Sequence, residues 1–365
     1  MSKCSIKNVP RYFAPYTDNC FQNAYGALVS HMKLNPNLIL ADYLSFMYEA
    51  ETGTIGTNFL RKTSRSFVYT EEQLNASLEY VYFPAVTEFS RRMEEERREP
   101  PSEQIKIALY FDHDPMIAHS RMEELIDEGI PVIVLVDMYY MRYHRAYQKE
   151  HGAHAVIITG YNQEEGYVEL FDKYGLASCD FDGRFNIDEL ILARNSDNWL
   201  GTFSKPINNT WMEVTKSDQF IFNVKKVNSI LSESCRRMNG EGDGKYGLNR
   251  LNAFRRDLMV QLGNGHDDET LSRFGTYFYA SFKALFRSRT RFSVFLREIA
   301  PMLHEGQIGE AARFCEDSAK LWEICSRLAL RIAATKNSLY IENLYRQLEN
   351  IIDQESRVVE KLSGI

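Results

Sequence analysis

His154-Ala155-Val156-Ile157-Ile158-Thr159-Gly160-Tyr161, followed through a turn by Tyr167-Val168-Glu169-Leu170-Phe171-Asp172, is the stretch on which the fold turns. Both segments are rich in β-branched and aromatic residues and read as one β-hairpin. If the strands pair symmetrically about Gln163, His154 faces Asp172, Val156 faces Leu170 and Ile158 faces Val168. All three pairs then share one sheet face, because side chains alternate with period two. Directly opposed Cβ atoms lie about 4.5–5.5 Å apart, so the carboxylate can reach an imidazole nitrogen. A slip of one residue moves one partner to the other face.

Working outward, Ile130-Pro131-Val132-Ile133-Val134-Leu135-Val136-Asp137 is a continuous apolar run, the mark of a strand covered on both sides. Thr210 to Val214 reads as a short strand. Helical spacing of apolar residues predicts helices at 20–32, 37–48, 71–80, 86–98, 116–128 and 185–193. Met238 to Gly247 holds four glycines in eight residues and punctuates the chain as a linker or loop. Beyond it the text is helical, at 248–262, 270–286, 291–303, 308–336 and 338–362. Leu344, Leu348, Ile351, Ile352, Val358, Val359 and Leu362 make an apolar stripe on the last helix. The expected fold class is α+β, helices with an antiparallel sheet over 1–235, then a glycine-rich segment at 236–245 and an all-α domain over 246–365.

The chain has 365 residues, 44% of them hydrophobic, and a formal net charge of −7. That charge argues against general nucleic-acid binding, which needs a positive field. No apolar h-region follows Met1 and no apolar run approaches ~18 residues, so neither export nor a membrane span is expected. Six scattered cysteines fit free thiols in a reducing, cytoplasmic setting.

Tyr16-Thr17-Asp18-Asn19-Cys20-Phe21-Gln22-Asn23-Ala24 opens the first helix, with Asp18 or Asn19 able to cap it. A lone cysteine is more commonly a buried structural residue. Cys20 is set apart by its place at a helix start, where thiolate is favoured, and by the histidine and carboxylate of the hairpin. The Cys20 N–H at that helix start is also able to stabilise an oxyanion. A thiol, an imidazole and an orienting carboxylate are the equipment of a nucleophile that makes acyl-enzymes. Among other histidines, His151 reads as a loop residue, His144 as a surface residue with a place lining the cleft as the alternative, and His31 lies three turns from Cys20. Asp112-His113-Asp114 lacks a second ligand cluster, so no metal is expected. The glycines of 240–247 follow no strand and do not suit a phosphate loop.

The order Cys, His, Asp, with the nucleophile opening a helix and the other two on strands, is similar to papain-like folds. More narrowly, three segments resemble the butirosin biosynthesis protein H family. These are Cys20-Phe21-Gln22-Asn23-Ala24, Val136-Asp137-Met138-Tyr139-Tyr140-Met141-Arg142-Tyr143-His144, and His154 to Tyr161 with Asp172. Gly247-Leu248-Asn249-Arg250-Leu251 and Arg287 to Leu296 look like that family's helical region. The resemblance implies a papain-like catalytic domain that moves an acyl, aminoacyl or peptidyl group from a carrier-protein thioester to an amine. It implies Cys20 as nucleophile, His154 as base and Asp172 as orienting carboxylate, in natural-product biosynthesis.

Asn19 is the candidate for a further oxyanion donor, since the glutamine that papain-like peptidases place before the cysteine has no counterpart in Phe13-Ala14-Pro15-Tyr16. The expected partners are an acyl or peptidyl carrier protein or a nonribosomal peptide synthetase, and a small amine acceptor. No cofactor is expected beyond the phosphopantetheine that presents the substrate. Arg287, Arg289 and Arg291 are the candidate carrier-docking patch. The alternatives are a thioesterase or cyclase, a cysteine peptidase or amidase, and a non-catalytic papain-like scaffold.

Overall fold

The computed structural model describes residues 2–14, 16, 20–51, 53–57, 65–68, 105–174, 179–198, 207–241, 244, 246–263, 268–303 and 306–365. The expected helices at 71–80 and 86–98 lie outside the described residues. The chain divides into two compact units, residues 1–40 with 64–221, and residues 41–63 with 222–365. The expected division fell at 236–245, within the second unit.

The first unit is built on a sheet with strand order β4-β5-β10-β6-β7-β8-β9 and β1 added to β7. The strands are β1 (Lys3–Ser5), β4 (Arg65–Val68), β5 (Ile105–Tyr110), β6 (Val132–Asp137), β7 (Ala153–Asn162), β8 (Tyr167–Tyr174), β9 (Cys179–Asn186) and β10 (Trp211–Lys216). All pairings are antiparallel except β4 with β5. Every residue of β6 is buried, as its unbroken apolar run requires. Val132, Val134, Val136, Val156 and Ile158 share a core with Met122 and Ile126 of helix α3 (Pro115–Asp127). The carboxylates of the Asp112-His113-Asp114 triplet serve this helix start. Asp114 accepts from the Met116 N–H (2.8 Å), and Asp112 accepts from the Asp114 N–H (2.8 Å).

Helix α1 (Cys20–His31) packs on β7 and β8. The short α2 (Pro36–Ile39) is capped by Asn35. Helix α4 (Ile187–Arg194) is capped by Asn186, whose side chain accepts from the Glu189 N–H.

The β7–β8 register differs from symmetry about Gln163. Asn162 pairs with Tyr167, so the turn holds four residues, Gln163 to Gly166. The ladder then steps from Gly160↔Glu169 to Ile158↔Leu170, leaving Thr159 as an extra residue on β7. Thr159 is also where β7 changes neighbour, from β6 on residues 153–158 to β1 on residues 160–162. The longer turn moves the pairing by three residues and the bulge returns one, a net displacement of two. Had the ladder run unbroken from Asn162↔Tyr167, Asp172 would stand opposite Ile157, on the other face from His154. With the bulge, Asp172 continues the ladder opposite Val156, on the face of His154.

The second unit contains the hairpin β2 (Met47–Glu49) and β3 (Thr54–Gly56) with helices α5 (Val224–Met238), α6 (Leu248–Gly263), α7 (Asp268–Leu303), α8 (Gly306–Thr335) and α9 (Ser338–Ser363). The expected helix at 37–48 breaks at Leu40. The backbone beyond it is claimed by tertiary bonds: Ser234 Oγ accepts from the Leu44 N–H, and Arg289 donates to the Ser45 carbonyl. Helices expected at 270–286 and 291–303 are one continuous α7, since 287–290 contain no glycine or proline. Phe46, Phe254 and Trp322 pack face to face or tilted in its core. The glycine-rich stretch starts as the end of α5 and closes at Gly247, whose φ is +100°. A Cβ there would lie 2.6 Å from the Met238 carbonyl oxygen, so only glycine fits. The pattern as a whole is α+β followed by all-α.

Candidate active site

Cys20 opens α1, and its Sγ accepts a hydrogen bond from the backbone N–H of Ala155 (3.2 Å). One turn on, the Asn23 side chain donates to the Lys173 carbonyl (2.9 Å) and accepts from the Ala14 N–H (3.2 Å). Residues three apart share a helix face. That face of α1 is therefore tied to β7 beside His154 and to β8 beside Asp172.

His154 and Asp172 are 2% and 3% exposed. His154 Nε2 lies 2.9 Å and 2.8 Å from the two carboxylate oxygens of Asp172. They are diagonal rather than directly opposed neighbours, a separation that an imidazole ring can span. Burial works to raise the Asp172 carboxyl, but the charge of His154 and hydrogen bonds from His154 and Tyr143 outweigh it and hold it below the usual carboxylate range. Tyr143 donates to Asp172 Oδ2 (2.9 Å). Its ring stacks on Phe181, centroids 4.2 Å apart, and Phe181 stands opposite Asp172 in the β8–β9 ladder.

His144, expected on the surface, is buried with its ring centroid 5.5 Å from that of His154. Its Nδ1 accepts from the Ala146 N–H (3.0 Å), which puts the proton of the neutral ring on Nε2. Burial, and then the charge of His154, push it down to about 4. His151 forms a second histidine–aspartate pair, Nδ1 to Asp137 Oδ2 at 2.7 Å. The buried Asp137 also accepts from the Tyr139 and Gly152 N–H groups and the Ser196 hydroxyl. Val136 pairs with His154 and Asp137 with Ala153, so Asp137 leaves the sheet on the face opposite His154. His31 sits at the far end of α1, about 16 Å from Cys20 along the axis.

Asn19 lies outside the described residues. Arg287, Arg289 and Arg291 do not form a surface patch. Arg289 is fully buried against Glu355 (2.8 Å), Arg291 is buried against Asp42 (3.0 Å), and Arg287 is 9% exposed. Residues two apart lie on different faces of a helix, so α7 is covered on more than one side at 287–291, and position in the sequence did not distinguish such a stretch from a solvated one. Among the described residues no group of three or more histidine, cysteine or acidic side chains could hold a metal ion. No helix among them is long and apolar enough to cross a membrane.

Tyr143 and Asn23 were the site residues missed by sequence reading. Both carried a signal: Asn23 is at i+3 from Cys20, and Tyr143 lies in the tyrosine-rich stretch that precedes His144.

No curated protein matches the chain. Residues 49–173, which include His154 and Asp172 but not Cys20, match the family model described as butirosin biosynthesis protein H, N-terminal.

Proposed function

We propose that the protein is a cysteine acyltransferase that moves an acyl group from a carrier-protein thioester to an amine, in the biosynthesis of an antibiotic or related secondary metabolite. The observation that carries this reading is the approach of Cys20 Sγ to the peptide next to His154, with Asp172 already bonded to His154 Nε2. Because Asp172 engages Nε2, Nδ1 is the nitrogen assigned to exchange a proton with the thiol. The family match supplies the biosynthetic context.

In the first half-reaction the Cys20 thiolate attacks the thioester carbonyl. The carbon–sulfur bond to pantetheine breaks, and the departing thiolate takes the proton held by His154. In the second, a neutral amine attacks the acyl-enzyme. Its surplus proton passes to His154 as the bond to Cys20 breaks, which restores the thiolate–imidazolium pair. A thioester exchanges for a thioester at nearly balanced energy, and the amide formed afterwards is the stable product. No cofactor is called on for either step.

The test is to incubate the protein with an acyl-carrier thioester and to look by mass spectrometry for an acyl adduct on Cys20, then to add amines, peptides or buffer alone. Adduct discharge by amine supports transfer. Discharge by water alone makes the protein a thioesterase, and absence of an adduct from every thioester offered rejects the reading.

A further inference from the structure

Tyr143, Asp172 and Phe181 form a closed circuit of contacts across three elements. Asp172 on β8 and Phe181 on β9 are register partners. The Phe181 ring stacks on Tyr143 at an interplanar angle of 12°, and Phe185 meets the same ring edge-on, centroids 6.0 Å apart. The phenol clamped in this way returns its hydroxyl to Asp172 Oδ2. The aromatic neighbour of the carboxylate therefore fixes the tyrosine that fixes the carboxylate.

A buried carboxylate that meets only a histidine can swing about its χ2 and present either oxygen. A second donor on Oδ2 removes that freedom and withdraws charge from the group that orients the base. We propose that Tyr143 is a positioning residue for the acyl transfer, holding Asp172 in the orientation that aims the His154 ring at Cys20. This rests on the function proposed above.

Asp172 from β8 and the His144 ring from the Tyr143-His144-Arg145 segment bear on the His154 ring, Cys20 Sγ from α1 lies against the peptide between His154 and Ala155, and Arg145 acts on His144. Tyr143→Phe keeps the ring in its stack and removes only the hydroxyl. Asp172 then places more of its charge on the imidazolium, which binds its proton more tightly.

The experiment measures the rate of iodoacetamide alkylation of Cys20 against pH, and kcat and KM for acyl transfer, in the full chain and in Y143F. The expected result is a shift of the alkylation profile on the histidine limb toward higher pH by about half a unit or more. A fall in kcat of roughly tenfold or more, with KM for the carrier thioester little changed, accompanies it. Phe181→Leu, which loosens the clamp but keeps the hydroxyl, gives a smaller change in the same direction. Superimposable alkylation profiles for wild type and Y143F overturn the proposal, as does a kcat loss explained by the unfolded fraction alone. Alkylation does not require the acyl substrate. A shifted profile in a protein that takes no acyl group therefore keeps the positioning role and rejects the transferase reading, while a coincident profile in an active transferase does the reverse.

Discussion

The thiol of Cys20 accepts a hydrogen bond from the N–H of Ala155, so it rests against the peptide that joins Ala155 to His154. The proposed nucleophile and base are thus registered through one stretch of backbone, although 134 positions separate them in the chain. Asn23 repeats the arrangement at β8. Sliding α1 along the sheet would break both ties at once.

Thiol reactivity is expected to follow this placement. Cys235, Cys315 and Cys325 are buried, and burial pushes the Cys315 thiol up to about 12. Burial and the nearby Asp127 carboxylate raise Cys4, whose thiol contacts the Ile126 carbonyl. Iodoacetamide at pH 7 is expected to modify Cys20 at least about tenfold faster than any of these four. Peptide mapping at short times measures it; equal labelling of Cys4 and Cys20 contradicts it.

Replacing the carboxylate tests the diagonal pair. Asp172→Asn keeps the shape but loses the charge that fixes the His154 tautomer. Acyl transfer is expected to drop on the order of 10²–10⁴-fold. Steady-state kinetics on the folded variant gives the figure, and activity within threefold of wild type would falsify the assignment.

In the second unit Glu355 is buried and accepts from Arg289 by two bonds, from the Ser318 hydroxyl and from the Trp322 indole. Glu355→Ala strands a guanidinium in the interior and is expected to cost about 3–5 kcal/mol in urea unfolding. Arg289→Ala is expected to act on stability in the same way. Unchanged stability together with weaker carrier binding would restore Arg289 to a docking role.

The same substitution at two helical glycines is expected to have opposite signs. A Cβ on Gly275 of α7 would lie 2.2 Å from Ala333 Cβ and 2.5 Å from the Ala329 carbonyl of α8, so Gly275→Ala forces the helices apart. Gly309 of α8 is exposed with nothing within 4 Å of such a Cβ, and Gly309→Ala is expected to stabilise by up to about 1 kcal/mol. Thermal melts of the pair decide it, and a stabilised Gly275→Ala would mean that the two helices do not meet there.

Acid should weaken the fold before the carboxylates titrate. His119 and His144 are buried, and burial pushes both down to about 4. An unfolded histidine titrates near 6.5. Between those values the unfolded chain binds more protons, so stability falls as pH drops from about 6.5 to 4, by roughly 3 kcal/mol per histidine at most. Glu123, raised by burial, opposes this. Glu233, held at about 2 by Arg236 and Arg237 against its burial, keeps its contribution until lower pH. Calorimetry from pH 7.5 to 4.5 reads the slope, and a flat profile above pH 5 contradicts the buried neutral rings.

The sequence made the hairpin, the buried β6 and the amphipathic helices legible because each carries its own periodicity. It also made the face shared by His154 and Asp172 legible, but not their register. A turn length and a bulge at Thr159 leave no periodic trace, and their displacements added to an even number. The argininine patch failed for a related reason. Arg289 and Arg291 look alike as text whether solvent or Glu355 and Asp42 lie beyond them. Tertiary hydrogen bonds to Leu44 and Ser45 overrode a good helical pattern after Leu40.

The extra residue in β7 turns chain length into arithmetic modulo two. Adding or removing one residue between His154 and Ile158 exchanges inward for outward and parts the imidazole from its carboxylate. Excising Thr159 itself straightens the ladder while Ile158 keeps Leu170 and the row beyond it stays aligned. For anyone redesigning this hairpin, the irregular position is the one place where a single codon can be lost without inverting the strand.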